Sequence, residues 1–315
     1  MKYRLAICIA TYQRRSLLAD TLRSLLTTRL NGIDIELRVV DNDREASAYS
    51  IVTKYASMMP FPVRYAIEPI QNIAMARNRA LDMGPADYVA FIDDDEIARP
   101  GWLRTLVEAI QQSRADAVFG SVDAVLVGDQ QVRGKQTRWF NKPMADTAKR
   151  LDWTQTRTSN TLVRGEWFYR YGFRFDASYG RSGGSDTALF AHMGVSGARY
   201  HSAPRAVVTE IVDPERLSLG WLLRRRFRGG VVYHRISEEI GGTHPMLVAA
   251  RRTARAIGLL TVAAIKLPAL RTEKLTEALL CLGVLSGGVY AWAFPNRGKS
   301  YVEYHTKTTE RTLCA

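Results

Sequence analysis

The chain has 315 residues, 46% of them hydrophobic and 24% charged, with no low-complexity tract and no internal repeat. That composition excludes a disordered or fibrous protein and allows one large domain with a smaller appendage. The net charge of +13 favours anionic partners, and three cysteines (Cys8, Cys281 and Cys314), without CxxC spacing, fit neither a disulfide framework nor a zinc site and point to a reducing cytosol.

The opening M-K-Y-R-L-A-I-C-I-A-T-Y sets basic residues ahead of an apolar run at 5–10. The run is too short for a signal-peptide core, so a first strand is expected there, and no export. Residues 14–28 bring Leu18, Leu22 and Leu25 onto one helical face, with Leu17 and Leu26 beside them. Residues 35–40 read as a second strand, 46–58 as a helix and 63–67 as a short third strand. A helix at 70–83 is closed by Gly84 and Pro85, and a fourth strand at 88–92 ends in acids. Pro100 then opens another helix at its first turn, where a missing N–H costs little.

This alternation predicts a mostly parallel sheet with helices on both faces. Ligands of such sheets bind beyond the carboxyl ends of the strands, which singles out Thr11, Asp41 and the acids from Asp93 onward. No G-x-G-x-x-G follows the first strand and no G-x-x-x-x-G-K-[ST] occurs, so the phosphate cradles of dinucleotide-binding and P-loop proteins are missing.

Residues 128–157 carry little apolar periodicity and are expected to include a mobile loop. Past Pro214 the character changes. An arginine-rich helix at 217–228 leads to Gly229 and Gly230, and apolar stretches follow at 256–267 and 278–294. The second has no charge over 17 residues, the lower limit for crossing a bilayer, and its Gly283, Gly287 and Gly288 suit close helix packing. From Pro214 onward 16 Lys and Arg face 7 Asp and Glu. Basic residues flank the apolar stretches, which fits an interfacial hairpin on an anionic leaflet; helices packed only on protein are the alternative.

Three motifs carry chemistry. F-I-D-D-D-E at 91–96 packs like charges at a strand end, so a cation is expected, and hard carboxylate oxygens suit Mg²⁺ or Mn²⁺ bridging to a diphosphate. The plain alternative is a self-solvated acidic turn. In V-V-D-N-D at 39–43, Asp41 leaves the second strand where a base or ribose could be read, or where a helix cap or turn needs an acid. In N-I-A-M-A-R-N-R-A-L at 72–81, Arg77 and Asn78 lie within a turn of Ile73 and Ala74, so Arg77 could meet phosphate, or could belong to a solvated face. Of the histidines, His192 and His201 could approach a metal, with His201 the better placed because it follows an expected strand; a structural role is the alternative.

A-T-Y-Q-R-R at 10–15, V-V-D-N-D at 39–43, A-M-A-R-N at 74–78 and I-D-D-D-E at 92–96, in this order and spacing, resemble family 2 glycosyltransferases of GT-A fold. The resemblance continues through G-G-S-D-T-A-L-F at 183–190 and R-R-R-F-R-G-G at 224–230, and it is strongest to bacterial exopolysaccharide glucosyltransferases of the succinoglycan type. It implies an α/β GT-A catalytic domain at 1–213, a mostly parallel Rossmann-like sheet flanked by helices, and a membrane-peripheral helical region at 214–315.

The resemblance also implies roles. Thr11, Tyr12, Arg14 and Asp41 would lie at the nucleotide, with Asp41 pairing uracil, and Arg77 would lie near the nucleotide-sugar. Asp93 or Asp94 would contact ribose or the donor sugar. Asp95 would be the main ligand of Mn²⁺ or Mg²⁺, with His201 a second candidate. Asp186 would be the catalytic base, and the preceding Ser185 departs from the glutamate common there. Taken alone, Asp186 could equally cap a helix at 187–193. Arg224, Arg225, Arg226 and Arg228 resemble a motif near the diphosphate and acceptor, or form a basic helix against lipid.

The implied activity is inverting transfer of a hexose, glucose or another, from a UDP-sugar to a lipid-linked saccharide at the inner face of the plasma membrane. A nucleotidyltransferase would need a glycine-rich loop where A-T-Y-Q-R-R stands. A non-catalytic basic module binding membrane or nucleic acid would not need the intact acids, and no nucleic-acid motif is present.

Overall fold

The computed structural model describes residues 2–126, 137–144, 150–241, 254, 257 and 268–294. Outside these residues lie Cys314, Arg251, Arg252, Arg255, most of the apolar stretch at 256–267 and parts of the expected loop at 128–157. The chain divides into two compact units, Met1–Gly180 with Ser185–Asp213, and Arg181–Gly184 with Pro214–Ala315.

The first unit is built on eight strands: β1 (Tyr3–Thr11), β2 (Ile33–Asp41), β3 (Val63–Ile67), β4 (Tyr88–Phe91), β5 (Glu96–Ala98), β6 (Ala117–Leu126), β7 (Thr161–Arg164) and β8 (Tyr200–Val212). They form one sheet in the order β3-β2-β1-β4-β7-β6-β8-β5. The first four of that order are parallel. The short β7 runs against both β4 and β6, β8 is parallel to β6, and β5 closes the edge antiparallel to β8. The parallel expectation therefore describes the β3-to-β4 half, and the other half is mixed.

Helices cover both faces, which is why β1 reads as an unbroken apolar run rather than an alternation. Leu5, Ile7 and Ile9 pack with Leu18, Leu22 and Leu25 of α1 (Arg15–Leu25), beside α2 (Tyr49–Ala56), and with Leu103, Leu106 and Ile110 of α4 (Trp102–Ser113). The alternate residues Ala6 and Cys8 face Ala74, Ala76 and Ala80 of α3 (Ile73–Leu81) and Leu189 and Phe190 of α6 (Ser185–Val195). Aromatic side chains fill this second layer, with Phe91 edge-on to Phe168 of α5 (Glu166–Tyr169) and to Phe175. Each fully buried Leu or Phe contributes roughly 1.5–3 kcal/mol.

Local chemistry trims the expected helices. α3 starts at Ile73 because Asn72 is extended and its side chain accepts from the N–H groups of Ala74 and Met75 at 3.0 and 3.2 Å, a side-chain cap. α4 starts at Trp102, because Gly101 at φ +79° forms its N-cap and so leaves Pro100 outside the helix.

The second unit pairs α7 (Leu219–Glu239) with α8 (Pro268–Ala293). A Cβ on Gly287 would lie 1.9 Å from the Phe227 carbonyl oxygen, and one on Gly230 2.0 Å from that of Val284, so only glycine permits this approach. The Phe227 and Tyr290 rings flank the seam at 5.7 Å.

Candidate active site

The carboxyl ends of β2, β1 and β4 lie side by side, so Asp41, Thr11 and the acids after Phe91 emerge along one edge. The Asn42 N–H donates to the Thr11 carbonyl at 2.8 Å and ties the first two ends together. Thr11 Oγ1 donates to Asp94 Oδ2 at 2.7 Å, and Arg14 reaches Asp94 Oδ1 at 3.1 Å and Asp95 Oδ2 at 3.2 Å. A guanidinium thus lies between two carboxylates where a cation is expected. Thr21 Oγ1 donates to the Asp94 carbonyl and the Ile211 N–H to that of Asp95, both at 2.9 Å, so the acidic turn is pinned from α1 and β8.

Arg77 of α3 joins this turn to α6. Its Nη2 lies 3.3 Å from Asp93 Oδ1, its Nη1 3.5 Å from the buried Ser185 hydroxyl, and its guanidinium 5.6 Å from the centre of the Phe175 ring. Asp186 follows in the first turn of α6, half-buried, with Oδ1 accepting from the Thr187 N–H at 2.8 Å. The helix starts one residue before Asp186, so this acid lies inside the first turn rather than at the cap, where it favours the positive end of the helix.

A second layer, which the sequence reading missed, lies behind the aspartates. Glu96 accepts from the Asp93 N–H at 3.0 Å and from the Ser159 hydroxyl. Across the β5–β8 ladder it faces Glu210, which pairs with Lys142 at 3.1 Å. Arg157 donates from Nη2 to the carbonyls of Gly120 at 2.5 Å and Lys142 at 3.3 Å. Its Nε is buried without a hydrogen-bond partner among the described residues. Burial pulls this guanidinium down to about 10, opposed by Glu96, Asp186, Glu210 and Asp93, so it stays charged at neutral pH. Glu96 was legible as the fourth acid of its motif; Glu210, Lys142 and Arg157 depend on strand pairings that no local pattern announces.

Electrostatics fit a divalent cation. Burial first, then Asp93, Asp94 and Glu210, pushes the Asp95 carboxyl up to about 7 against the opposing Arg14. Asp94 is raised chiefly by burial, against Arg14 and Thr11, and Glu96 is raised to about 8 by burial and then Asp93. The acids lack full compensation by the bases around them, and a cation would relieve that. Among the described residues no three His, Cys, Asp or Glu side chains form a ready metal cage. One or two carboxylates completed by phosphate oxygens and water is the arrangement Mg²⁺ commonly uses.

The remaining expected residues fall as follows. Asp41 is fully buried; its Oδ2 accepts from the Ala48 N–H at 2.7 Å and the Tyr65 hydroxyl at 2.8 Å, and its Oδ1 from the Asp43 N–H at 3.2 Å. As the structure stands it fixes the loop at 42–48. Tyr12 is exposed just beyond β1. His201 lies at the start of β8 opposite Val118, whereas Glu210 lies opposite Ala124. Six steps along β6 separate these levels, roughly 20 Å at ~3.3 Å per residue, so the structure does not bring His201 to the Glu96–Glu210 end of the site. Arg224, Arg225, Arg226 and Arg228 belong to α7 of the second unit, with Arg224 and Arg226 exposed.

Residues 6–172 match the model of Glycosyl transferase family 2. The chain belongs to this family. The transferase is 36% identical over 285 residues to the succinoglycan biosynthesis protein ExoM of Rhizobium meliloti, covering 89% of this chain and 91% of the relative. It is 24% identical over 251 residues to the glucosyl-dolichyl phosphate glucuronosyltransferase of Haloferax volcanii, covering 73% and 75%. Among solved structures, the mannosyltransferase PcManGT of Pyrobaculum calidifontis, in complex with GDP-Man and Mn²⁺, superposes with a TM-score of 0.60 at 16% identity, covering 92% of this chain and 88% of that one. TarS of Staphylococcus aureus in complex with UDP gives 0.52 at 16% identity, covering 93% and 92%. The fold of this transferase is GT-A, its sheet mixed and flanked by helices.

Proposed function

We propose that this transferase moves a hexose, glucose or a close relative, from a UDP-sugar to a lipid-linked saccharide during exopolysaccharide synthesis, with inversion, at the inner face of the plasma membrane. The observation that carries the reading is the chain of contacts Thr11–Asp94–Arg14–Asp95 and Asp93–Arg77–Ser185, which brings the ends of β1 and β4 up to the helix bearing Asp186. ExoM, named for succinoglycan biosynthesis, supports the polysaccharide, and the Haloferax relative, named for a dolichyl phosphate, supports a lipid-linked acceptor. The UDP complex of TarS supports the nucleotide and the Mn²⁺ complex of PcManGT supports the metal.

In this reading Asp186 takes the proton of the acceptor hydroxyl as its oxygen attacks the anomeric carbon opposite the departing diphosphate. Arg77 and Arg14, which pair with Asp93 and Asp94, are the cationic donors that would stabilise that diphosphate. Mn²⁺ or Mg²⁺, held by Asp95, supplies further charge against the leaving group when bound. Asp93 or Asp94 contacts ribose or sugar, and Thr11 and Tyr12 border the nucleotide. Asp41 shapes the uracil pocket through Tyr65 and the loop at 42–48, and its direct pairing with the base requires that loop to shift. Residues 1–213 carry the chemistry, residues 214–315 serve the membrane, and Arg224, Arg225, Arg226 and Arg228 are assigned to anionic headgroups.

The test supplies radiolabelled UDP-glucose, UDP-galactose, UDP-glucuronic acid or GDP-mannose with Mn²⁺ and a butanol extract of bacterial membranes. Label entering the organic phase from a UDP-hexose is the expected result. Transfer from GDP-mannose alone contradicts the nucleotide, and transfer only to water-soluble glycans contradicts the acceptor.

A further inference from the structure

α8 passes by length and composition for a membrane-crossing helix: Lys274–Ala293 spans 20 residues with a mean hydropathy of 1.4, and only 22% of it is buried. At ~1.5 Å per residue such a helix matches a hydrocarbon core of about 30 Å. Its partner argues against insertion. The glycine seam fixes the level at which the two helices meet: a Cβ on Gly283 would lie 3.3 Å from the Arg226 Cβ, Gly287 abuts Phe227, and Gly230 abuts Val284. Arg224, Arg225, Arg226 and Arg228 therefore stand beside the middle of α8. Spanning the bilayer would carry them toward its midplane, at ~2.5–3.5 kcal/mol for each arginine even on the lenient insertion scale.

The apolar residues of α8 are also arranged for lying flat. Leu275, Leu279, Leu282 and Val289 are exposed. At 100° per residue they fall within one narrow stripe that also takes in Ser286 and Ala293, which are exposed as well. The opposite face, with Leu280, Gly287 and Ala291, is buried against the seam. Trp292 and Phe294 are exposed at the end of the helix, and tryptophan there suits the headgroup level. Lys274 stands at the other end, and Arg224 and Arg226 are exposed on α7.

The geometry points to α8 as an in-plane docking helix for an anionic bilayer, with its Leu275–Leu279–Leu282–Val289 stripe at the acyl boundary and Lys274 and Trp292 flanking it at the headgroup level. This deepens the membrane assignment proposed above and is independent of the donor chemistry. The commitment to lipid over a second copy of the chain rests on charge: the region from Pro214 onward carries 16 basic against 7 acidic residues, which repels its own copy and attracts anionic headgroups.

The test uses the full chain with vesicles of POPC and of POPC with a quarter POPG. The wild type is expected to float with the POPG vesicles, to bind POPC at least tenfold more weakly, and to be released by alkaline carbonate. Leu279→Glu combined with Leu282→Glu should lower POPG binding by tenfold or more. Trp292 fluorescence, read as the difference from Trp292→Phe, should be quenched by brominated acyl chains. Flotation of the double variant like the wild type overturns the proposal, as does resistance of the wild type to carbonate, which marks a spanning helix. A dimer in analytical ultracentrifugation that the double variant dissolves, without vesicle binding, also overturns it. Metal-dependent hydrolysis of the nucleotide-sugar, measured on the same samples, shows the double variant to be folded. Its absence from the wild type would strike the enzymatic reading and leave the vesicle result standing.

Discussion

Asn160 offers a demanding test of how the site is supported. It is fully buried, and its backbone is left-handed at φ +54°. Its side chain accepts from Trp102 Nε1 at 2.7 Å and donates to the carbonyls of Ser121 at 2.7 Å and Ala206 at 2.8 Å. The amide thereby fills the irregularity in the β6–β8 ladder at Gly120 and Ser121, one residue from the Ser159–Glu96 contact. Asn160→Ala leaves these three partners without it, at a net cost of about 1–1.5 kcal/mol each. Alanine in the left-handed region adds about 1 kcal/mol, for a total of roughly 4–6 kcal/mol, a large share of the ~5–15 kcal/mol of a typical domain. Asn160→Gly keeps the backbone at ease and should lose only the bonds, roughly 3–5 kcal/mol. Urea unfolding followed by tryptophan fluorescence should show both midpoints falling, alanine's further, with unchanged slope. A loss below about 1 kcal/mol for Asn160→Ala would refute the assignment of that amide as a structural plug.

Further outcomes follow from the same contacts. The Asp95 carboxyl, raised to about 7, holds a proton in the metal-free fold that the unfolded chain releases near its ordinary value of 3.8. The stability it contributes is full below about 4 and is lost as pH rises through about 7. In EDTA the melting temperature should therefore fall across that window from this group, Mn²⁺ should restore it at pH 8, and Mn²⁺ affinity by calorimetry should weaken below pH 7; a flat profile contradicts this. Cys8 is buried and its thiol is pushed up to about 12, chiefly by burial, so iodoacetamide at pH 8 should leave it unmodified in the native protein, as peptide mass mapping would show. Gly287→Ala places a Cβ against the Phe227 carbonyl oxygen, so α8 should be released from α7 and trypsin should cut near Lys274 faster than in the wild type.

The parallel half of the sheet and its site edge were readable because each element there is specified locally. The apolar run of β1 is buried on both faces, and Thr11, Asp41 and the aspartates follow strands whose ends hydrophobicity marks. Helix starts slipped where one residue decides them, as at the Asn72 cap and the left-handed Gly101. The mixed half was hidden for a different reason. β5 has three residues, too few for a periodicity, and the β6–β8 register shifts at Gly120 and Ser121. Glu210, Lys142 and Arg157 reach the acids only through those long-range pairings. His201 looked suited to metal because histidine chemistry is visible in sequence while its level along a strand is not.

Calorimetric titration of UDP with Mn²⁺ into the wild type, Asp95→Ala and Asp186→Asn, paired with hydrolysis of the donor sugar, separates the roles most directly. The expected pattern is metal-dependent UDP binding by the wild type, its loss in Asp95→Ala, and retained binding with at least about a hundredfold less hydrolysis in Asp186→Asn. Full hydrolysis by Asp186→Asn would remove the proposed base, and UDP binding by the wild type that ignores Mn²⁺ and EDTA alike would contradict the metal-assisted site.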